Sequence, residues 1–270
     1  FIVSDVNKPI KKNHKIKDSI SIKAVNDFAA GMQSGATSAA TRWFKAQMKT
    51  SALNELHDVK IWCSEEEELM KRILAGSNFY QNMLGVYKQL GSYGFATMQM
   101  ESDYETVVNF KLLPIGSYRY SKDHRGEPDT FCRNYMETAD NIVKKYGYEN
   151  CSSDVQSAYN NCSSQLFELV YYVEPNKEFN AATYEARKDK FLSLSGYDRF
   201  PFAIFEAEVN GEDNYPSNCP GIQALPDVKQ LQEQTKVYSS AMKKIAVPLM
   251  RGPAELKKQK GITDAPGQII

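Results

Sequence analysis

The sequence predicts an α+β chain: helices first, antiparallel strands through the middle, and one long helix near the end. Apolar residues recur every three or four positions up to Leu90 and again from Ile222 to Ile245, the spacing that gathers them on one side of a helix. Between Phe95 and Val209 the pattern turns to short alternating runs rich in β-branched and aromatic residues, divided by polar turns. From Val228 to Val247 the chain has neither glycine nor proline, and Pro248 closes the run.

Residues 1–17 are basic and interrupted by proline, with Lys8, Lys11, Lys12, Lys15 and Lys17; they read as a solvated arm or a contact with a neighbouring subunit or nucleic acid. Asp18 and Ser19 cap a helix whose apolar side is Ile22, Val25, Phe28, Ala29 and Met32, and Gly31 and Gly35 end it in a small-residue loop. That loop lacks the G-x-x-x-x-G-K-[ST] pattern and a preceding strand, so it does not point to a nucleotide. Trp43 and Phe44 read as a core anchor. The next stretch, Ile61 to Gly94, reads as two helices broken at Gly76-Ser77-Asn78, with Glu65 to Glu68 in a first turn after Ser64 and Gly91 and Gly94 terminating the second.

From Phe95 to Thr138 four strand-like runs suggest an antiparallel meander, with turns at Gly116 and His124-Arg125-Gly126. Thr138-Ala-Asp140 opens a helix closed by Gly147, and Ser152 to Asn161 reads as a second, polar one. Residues 166–175 and 200–209 are strand-like, with a charged insertion, 176–190, between them. Pro226 and Asp227 suit the first turn of the long helix, which at 25 residues would span about 37 Å at 1.5 Å per residue.

A chain of 270 residues with 42% apolar and 24% charged residues can bury a sizeable core, and 16 Tyr with 13 Phe argue against disorder. Lys plus Arg equal Asp plus Glu at 33 each, which excludes nucleic-acid binding through bulk positive charge; any such contact must be local. The cysteines (Cys63, Cys132, Cys151, Cys162, Cys219) are odd in number and form no C-x-x-C pair, which reads as reduced thiols. No apolar run is long enough for a membrane span and no signal peptide is visible. The start at Phe1 and the end at Ile270 read as a segment of a longer polypeptide.

Catalytic motifs are absent from the sequence. His14, His57 and His124 are far apart, no H-E-x-x-H or Cys/His spacing occurs, and neither G-x-S-x-G nor G-x-G-x-x-G is present. Glu206 and Glu208 alternate on one predicted strand, so a shared acid site is conceivable but reads as surface. On the long helix Lys229, Lys236 and Lys243 fall seven apart, with Lys244 adjacent, so they share one flank. One reading is a solvated face salt-bridged through Glu233; the other, if a ring repeats the helix, is stacked belts of positive charge that meet phosphates without reading bases.

Four stretches in order carry a resemblance: DSISIKAVNDFAAGMQSGATSAATRWF at 18–44, RILAGSNFYQNMLGVYKQLGSYGFATMQME at 72–101, SGYDRFPF at 195–202 and NCPGIQALPDVKQLQ at 218–232. Together with a long helix ending in proline, they resemble the head-to-tail connecting (portal) protein family of short-tailed bacteriophages. The resemblance implies a portal-type wing of mixed helices and antiparallel strands over 18–213, a turn and stem helix over 214–248 and the start of a clip at 249–270, with 1–17 as the arm. It implies twelve-membered rings at a capsid vertex of the virion, assembled in the host cytoplasm, that conduct double-stranded DNA driven by a terminase and dock a tail adaptor and the major capsid protein. No enzyme activity, cofactor, metal or membrane is implied. Lys229, Lys236, Lys243 and Lys244 become candidates for the DNA channel, and Leu225, Leu231, Met242 and Ile245 for subunit packing. Two departures stand out: YPSNCPG replaces the family's glycine- and arginine-rich turn, and AIFEAEV replaces its arginine-tryptophan strand. A head-completion adaptor ring and a metal-dependent nuclease remain as alternatives.

Overall fold

The computed structural model describes residues 16–175, 179–185, 190–208 and 218–246. The arm lysines before Lys17, His14, the turn residues 215–217, the closing Pro248 and the segment 249–270 lie outside them. The described chain divides into two compact units, one from Val25 to Ile222 and one formed by the residues up to Ala24 together with those from Gln223 onward.

Helices α1 (Ile20–Ala36), which enters the first unit at Val25, α2 (His57–Gly76) and α3 (Phe79–Tyr93) precede the strands. The small residues at 31 and 35 do not end α1, which runs through both; a Cβ at either would meet nothing, so glycine here costs helix propensity without blocking the helix. Helix α2 starts at His57, with Asp58 in its first turn, so Glu65 to Glu68 are mid-helix rather than capping residues. Glu67 is buried instead, accepting from Arg42 Nη1 at 3.3 Å and from the Ala46 amide at 2.9 Å. Gly91 does not terminate α3. It is a packing position, where a Cβ would come within 2.7 Å of the Phe28 ring. The terminator is Gly94, whose left-handed φ of 81° and amide bond to the Leu90 carbonyl close the helix.

The first two strands, β1 (Phe95–Asp103) and β2 (Val107–Leu112), do not continue into a single meander with the next two. They form a three-stranded antiparallel sheet, β2-β1-β8, completed by β8 (Phe202–Glu206). The remaining strands, β3 (Tyr118–Lys122), β4 (Pro128–Thr138), β5 (Leu166–Pro175), β6 (Phe179–Glu185) and β7 (Lys190–Tyr197), make a five-stranded antiparallel sheet in sequence order. The expected charged insertion thus contains β6 and the start of β7. Its Glu185 is buried and accepts from the Ser152 amide at 3.1 Å and hydroxyl at 2.7 Å. That serine caps α5 (Ser153–Asn160), so a strand side chain anchors a helix start. Helix α4 (Ala139–Tyr146) lies between Thr138 and Gly147, with Lys144 and Lys145 in its last turn.

Three layers result. Ala96, Met98 and Phe110 of the small sheet pack on Phe79, Met83, Val86 and Tyr87 of α3. Alternation turns Leu113, Phe202 and Ile204 to the other side, against Phe131 and Val173 of the large sheet. The Phe131 and Phe202 rings stack at 3.7 Å between centroids. Beside them on the same face of the large sheet, Tyr135, Leu169 and Leu192 pack against Ile142 of α4 and Val155 of α5. Cys63, Cys151 and Cys219 are buried, Cys162 is exposed, and none of the five cysteines is in a disulfide.

After β8 the chain returns through Cys219 to α6 (Pro220–Gln223), a short helical turn where the sequence suggested only an irregular one. Gly221 approaches α3 so closely that a Cβ would lie 2.6 Å from the Ser92 carbonyl oxygen and 2.8 Å from that of Gly91. Gly221→Ala is expected to cost roughly 1–3 kcal/mol, because the obstruction is backbone. Phe131→Ala, emptying a fully buried site, is expected to cost roughly 3–5 kcal/mol. Urea unfolding of each variant checks both, and an unchanged midpoint for either would contradict this packing.

Candidate functional site on the long helix

Helix α7 (Leu225–Ala246) has 22 residues and no buried side chain, and spans about 33 Å. Pro226 and Asp227 occupy its first turn, while Lys243 and Lys244 sit in its last, complementing the dipole at both ends.

At 3.6 residues per turn, Lys229, Lys236 and Lys243 lie along one line and Lys244 stands a quarter turn away. Lys229, Lys236 and Lys243 are exposed and Lys244 is half-buried. Glu233 pairs with Lys236 at 3.3 Å, but both side chains are more than 60% exposed, a geometry worth little in water. The opposite side carries Leu231, Tyr238, Ala241, Met242 and Ile245. Of these, Tyr238 (67%), Met242 (48%) and Ile245 (74%) are exposed, and Leu231 is half-buried. Leu225, also exposed, falls on the lysine side and is separated from the other three packing candidates. Val237, 59% exposed beside Tyr238, widens the apolar face.

A contact that sequence reading missed fixes the first half of this helix. The Gln232 side-chain oxygen accepts from the backbone amides of Lys17 at 2.7 Å and Asp18 at 3.1 Å, while its nitrogen donates to the Asp18 carbonyl at 2.7 Å. The amide thus satisfies both the N–H and the carbonyl of Asp18, as a neighbouring strand would. Lys17 joins Val228, Lys229, Gln232, Glu233 and Lys236 around one shallow recess, bringing the last arm lysine to the lysine flank. No periodicity announces a partner so far away in sequence.

The acid pair considered for catalysis is not assembled. Strand β8 ends at Glu206, and Glu208 is exposed beyond it. Both Glu206 oxygens are engaged: Lys122 Nζ lies 2.8 Å from each, and the Tyr120 hydroxyl donates to one at 2.8 Å. This pair, with side chains 10% and 12% exposed, joins the two sheets. Among the described residues no three His, Cys, Asp or Glu side chains converge as metal ligands, and no helix is long and apolar enough to cross a membrane.

The chain is an α+β body followed in sequence by a long two-faced helix, and all of it, residues 1–270, matches the family described as bacteriophage head to tail connecting protein. The chain belongs to that family. It is 33% identical over 284 aligned positions to the portal protein of Salmonella phage epsilon15 and 30% identical over 284 to the probable portal protein of Bordetella phage BPP-1. All of the chain is covered in both comparisons, against 51% of each relative, so the chain spans about half the length of the curated relatives it matches.

Glu206→Ala strands the Lys122 ammonium in a buried position. It should destabilise the fold by roughly 3 kcal/mol, whereas replacing both residues by apolar ones of similar size should recover most of that loss. Thermal unfolding of the single and double variants tests this, and equal losses for the two would show that the pair is not coupled.

Proposed function

We propose that this chain is the wing and leading stem of a portal subunit, a non-enzymatic ring component at one vertex of the virion that conducts double-stranded DNA. The observation that carries the reading is α7, a long helix with no buried side chain, lysines on one side and exposed apolar residues on the other, in a chain whose relatives are named portal proteins. An uncovered stripe of Tyr238, Met242 and Ile245 calls for a partner surface, and a symmetric neighbour supplies the same helix repeatedly. In such a ring Lys229, Lys236 and Lys243 recur as belts of positive charge, so that a chain of zero formal net charge still presents a cationic lining. Contacts of this kind are to phosphates, sensitive to salt and indifferent to sequence.

On this reading residues 18–213 form the wing, 214–248 the turn and stem, and 249–270 enter the clip that meets a tail adaptor. Terminase supplies the work of packaging, the wing meets the major capsid protein, and assembly takes place in the host cytoplasm. The nuclease alternative loses its acid, because Glu206 is committed to Lys122 and Tyr120. A head-completion adaptor differs in lacking a second long helix that returns beside the first.

Electron microscopy of the complete protein should show end-on rings of twelve with a channel wide enough for a duplex. Monomers or dimers at high concentration would overturn the reading. In the intact protein, Met242→Asp with Ile245→Asp should shift the rings toward smaller species in sedimentation. Replacing Lys229, Lys236 and Lys243 by glutamine should keep the rings but lower the amount of DNA packaged in an extract assay, and unchanged packaging would remove these lysines from the channel.

A further inference from the structure

In the first unit α3 covers one face of the small sheet, and the large sheet lies against the other. The large sheet itself uses one face only, to which Phe131, Tyr135, Leu169 and Val173 turn. Their neighbours along each strand turn the opposite way. Register places Tyr172, Ala182 and Leu194 in one row across that far face, and Val170, Tyr184 and Phe191 in the next. The Tyr184 and Phe191 rings meet edge to face at 6.0 Å, yet Phe191 stays 56% and Leu194 72% exposed. Both belong to β7, the outermost strand of the sheet. Among the described residues no hydrophobic cluster forms on this side.

The helical end of the same unit carries a second bare patch. Helix α2 joins that end through Leu74, which packs against the cluster of α3 and the small sheet. On α2 the residues Trp62, Leu69 and Ile73 line up with Met70 beside them, about a third of a turn from Cys63, Glu67 and Leu74. Cys63 and Glu67 are buried, whereas Trp62, Leu69 and Met70 are exposed. A helix or sheet with an apolar face reaches a stable arrangement by burying it against another element. Within one copy these two patches cannot meet, because both sheets stand between them. A ring joined by α7 alone would rest on the four exposed side chains Val237, Tyr238, Met242 and Ile245. Each partner of a stable interface gives roughly 20 residues and 800 Å², so the ring needs a further contact.

We propose that α2 of one copy packs through Trp62, Leu69 and Met70 onto the far face of the large sheet of the next copy, around Phe191 and Leu194. This helix-on-sheet contact rests on the ring reading above and supplies the area which that reading lacks. Because the two patches differ, copies associate head to tail, the kind of contact that closes into a ring rather than a symmetric dimer. Trp62 is the anchor, since tryptophan is enriched among the few residues that carry most of an interface's energy.

Leu69→Cys and Leu194→Cys, introduced together into the complete protein with Cys132→Ser and Cys162→Ser, test this with a bifunctional maleimide. The paired variant should cross-link into a ladder of covalent oligomers, while Leu69→Cys or Leu194→Cys alone should run as a monomer in denaturing electrophoresis. Trp62→Ala, a change at an exposed site, should raise the concentration needed for half-assembly by at least roughly tenfold. Rings in the electron microscope without the ladder, or with Trp62→Ala assembling as the wild type does, would overturn this contact and leave the ring reading standing. Cross-linking by Leu69→Cys alone would mean a symmetric contact and overturn it as well. Absence of any ring would overturn both.

Discussion

The pairing of β8 with β1 is the constraint on which the rest of the larger unit depends. Phe95 to Gln99 pair with Glu206 to Phe202 only after all five strands of the large sheet and both helices α4 and α5 have been traversed. The small sheet is therefore built from the two ends of an insertion. Closing it brings Phe202 onto Phe131 and Glu206 onto Lys122, so one event completes the apolar stack and the ion pair between the sheets. Such a closure has a high loop-entropy cost and rewards it only when both sheets are formed. Gly221 then seats the departing chain against the end of α3, beside the start of the strand that β8 has just joined.

Elements defined by their own local chemistry were legible in the sequence. Thr138 and Gly147 bound α4, Ser152 caps α5, and residues 166–175 form β5 over their whole length. What escaped sequence reading was decided by distant partners. The β6 segment is short and carries Glu185, which a local reading sends to solvent; its carboxylate is buried because it meets the amide and hydroxyl of Ser152. Glu65 to Glu68 look like the acidic start of a helix, yet Arg42 and the Ala46 amide, outside that helix, give Glu67 a buried role within it. The expected meander divides because β1 finds β8 as well as β2, which no turn signal between the strands could disclose.

The candidate site was half legible. A seven-residue lysine spacing and an apolar repeat suffice to predict two faces on a long helix, and periodicity places Leu231, Met242 and Ile245 together. The same arithmetic, followed strictly along the 22 residues of the helix, puts Leu225 with the lysines. The place of Lys17 was hidden. One glutamine far along the chain brings it to the lysine flank.

Gln232 has a mechanical consequence. One amide holds both hydrogen-bonding directions of the Lys17–Asp18 backbone, so α7 cannot slide or turn about its axis at this level without breaking three bonds or dragging that backbone along. The helix is pinned near the end where it enters. A single uncharged side chain therefore sets the register of the helix against the backbone at Lys17 and Asp18.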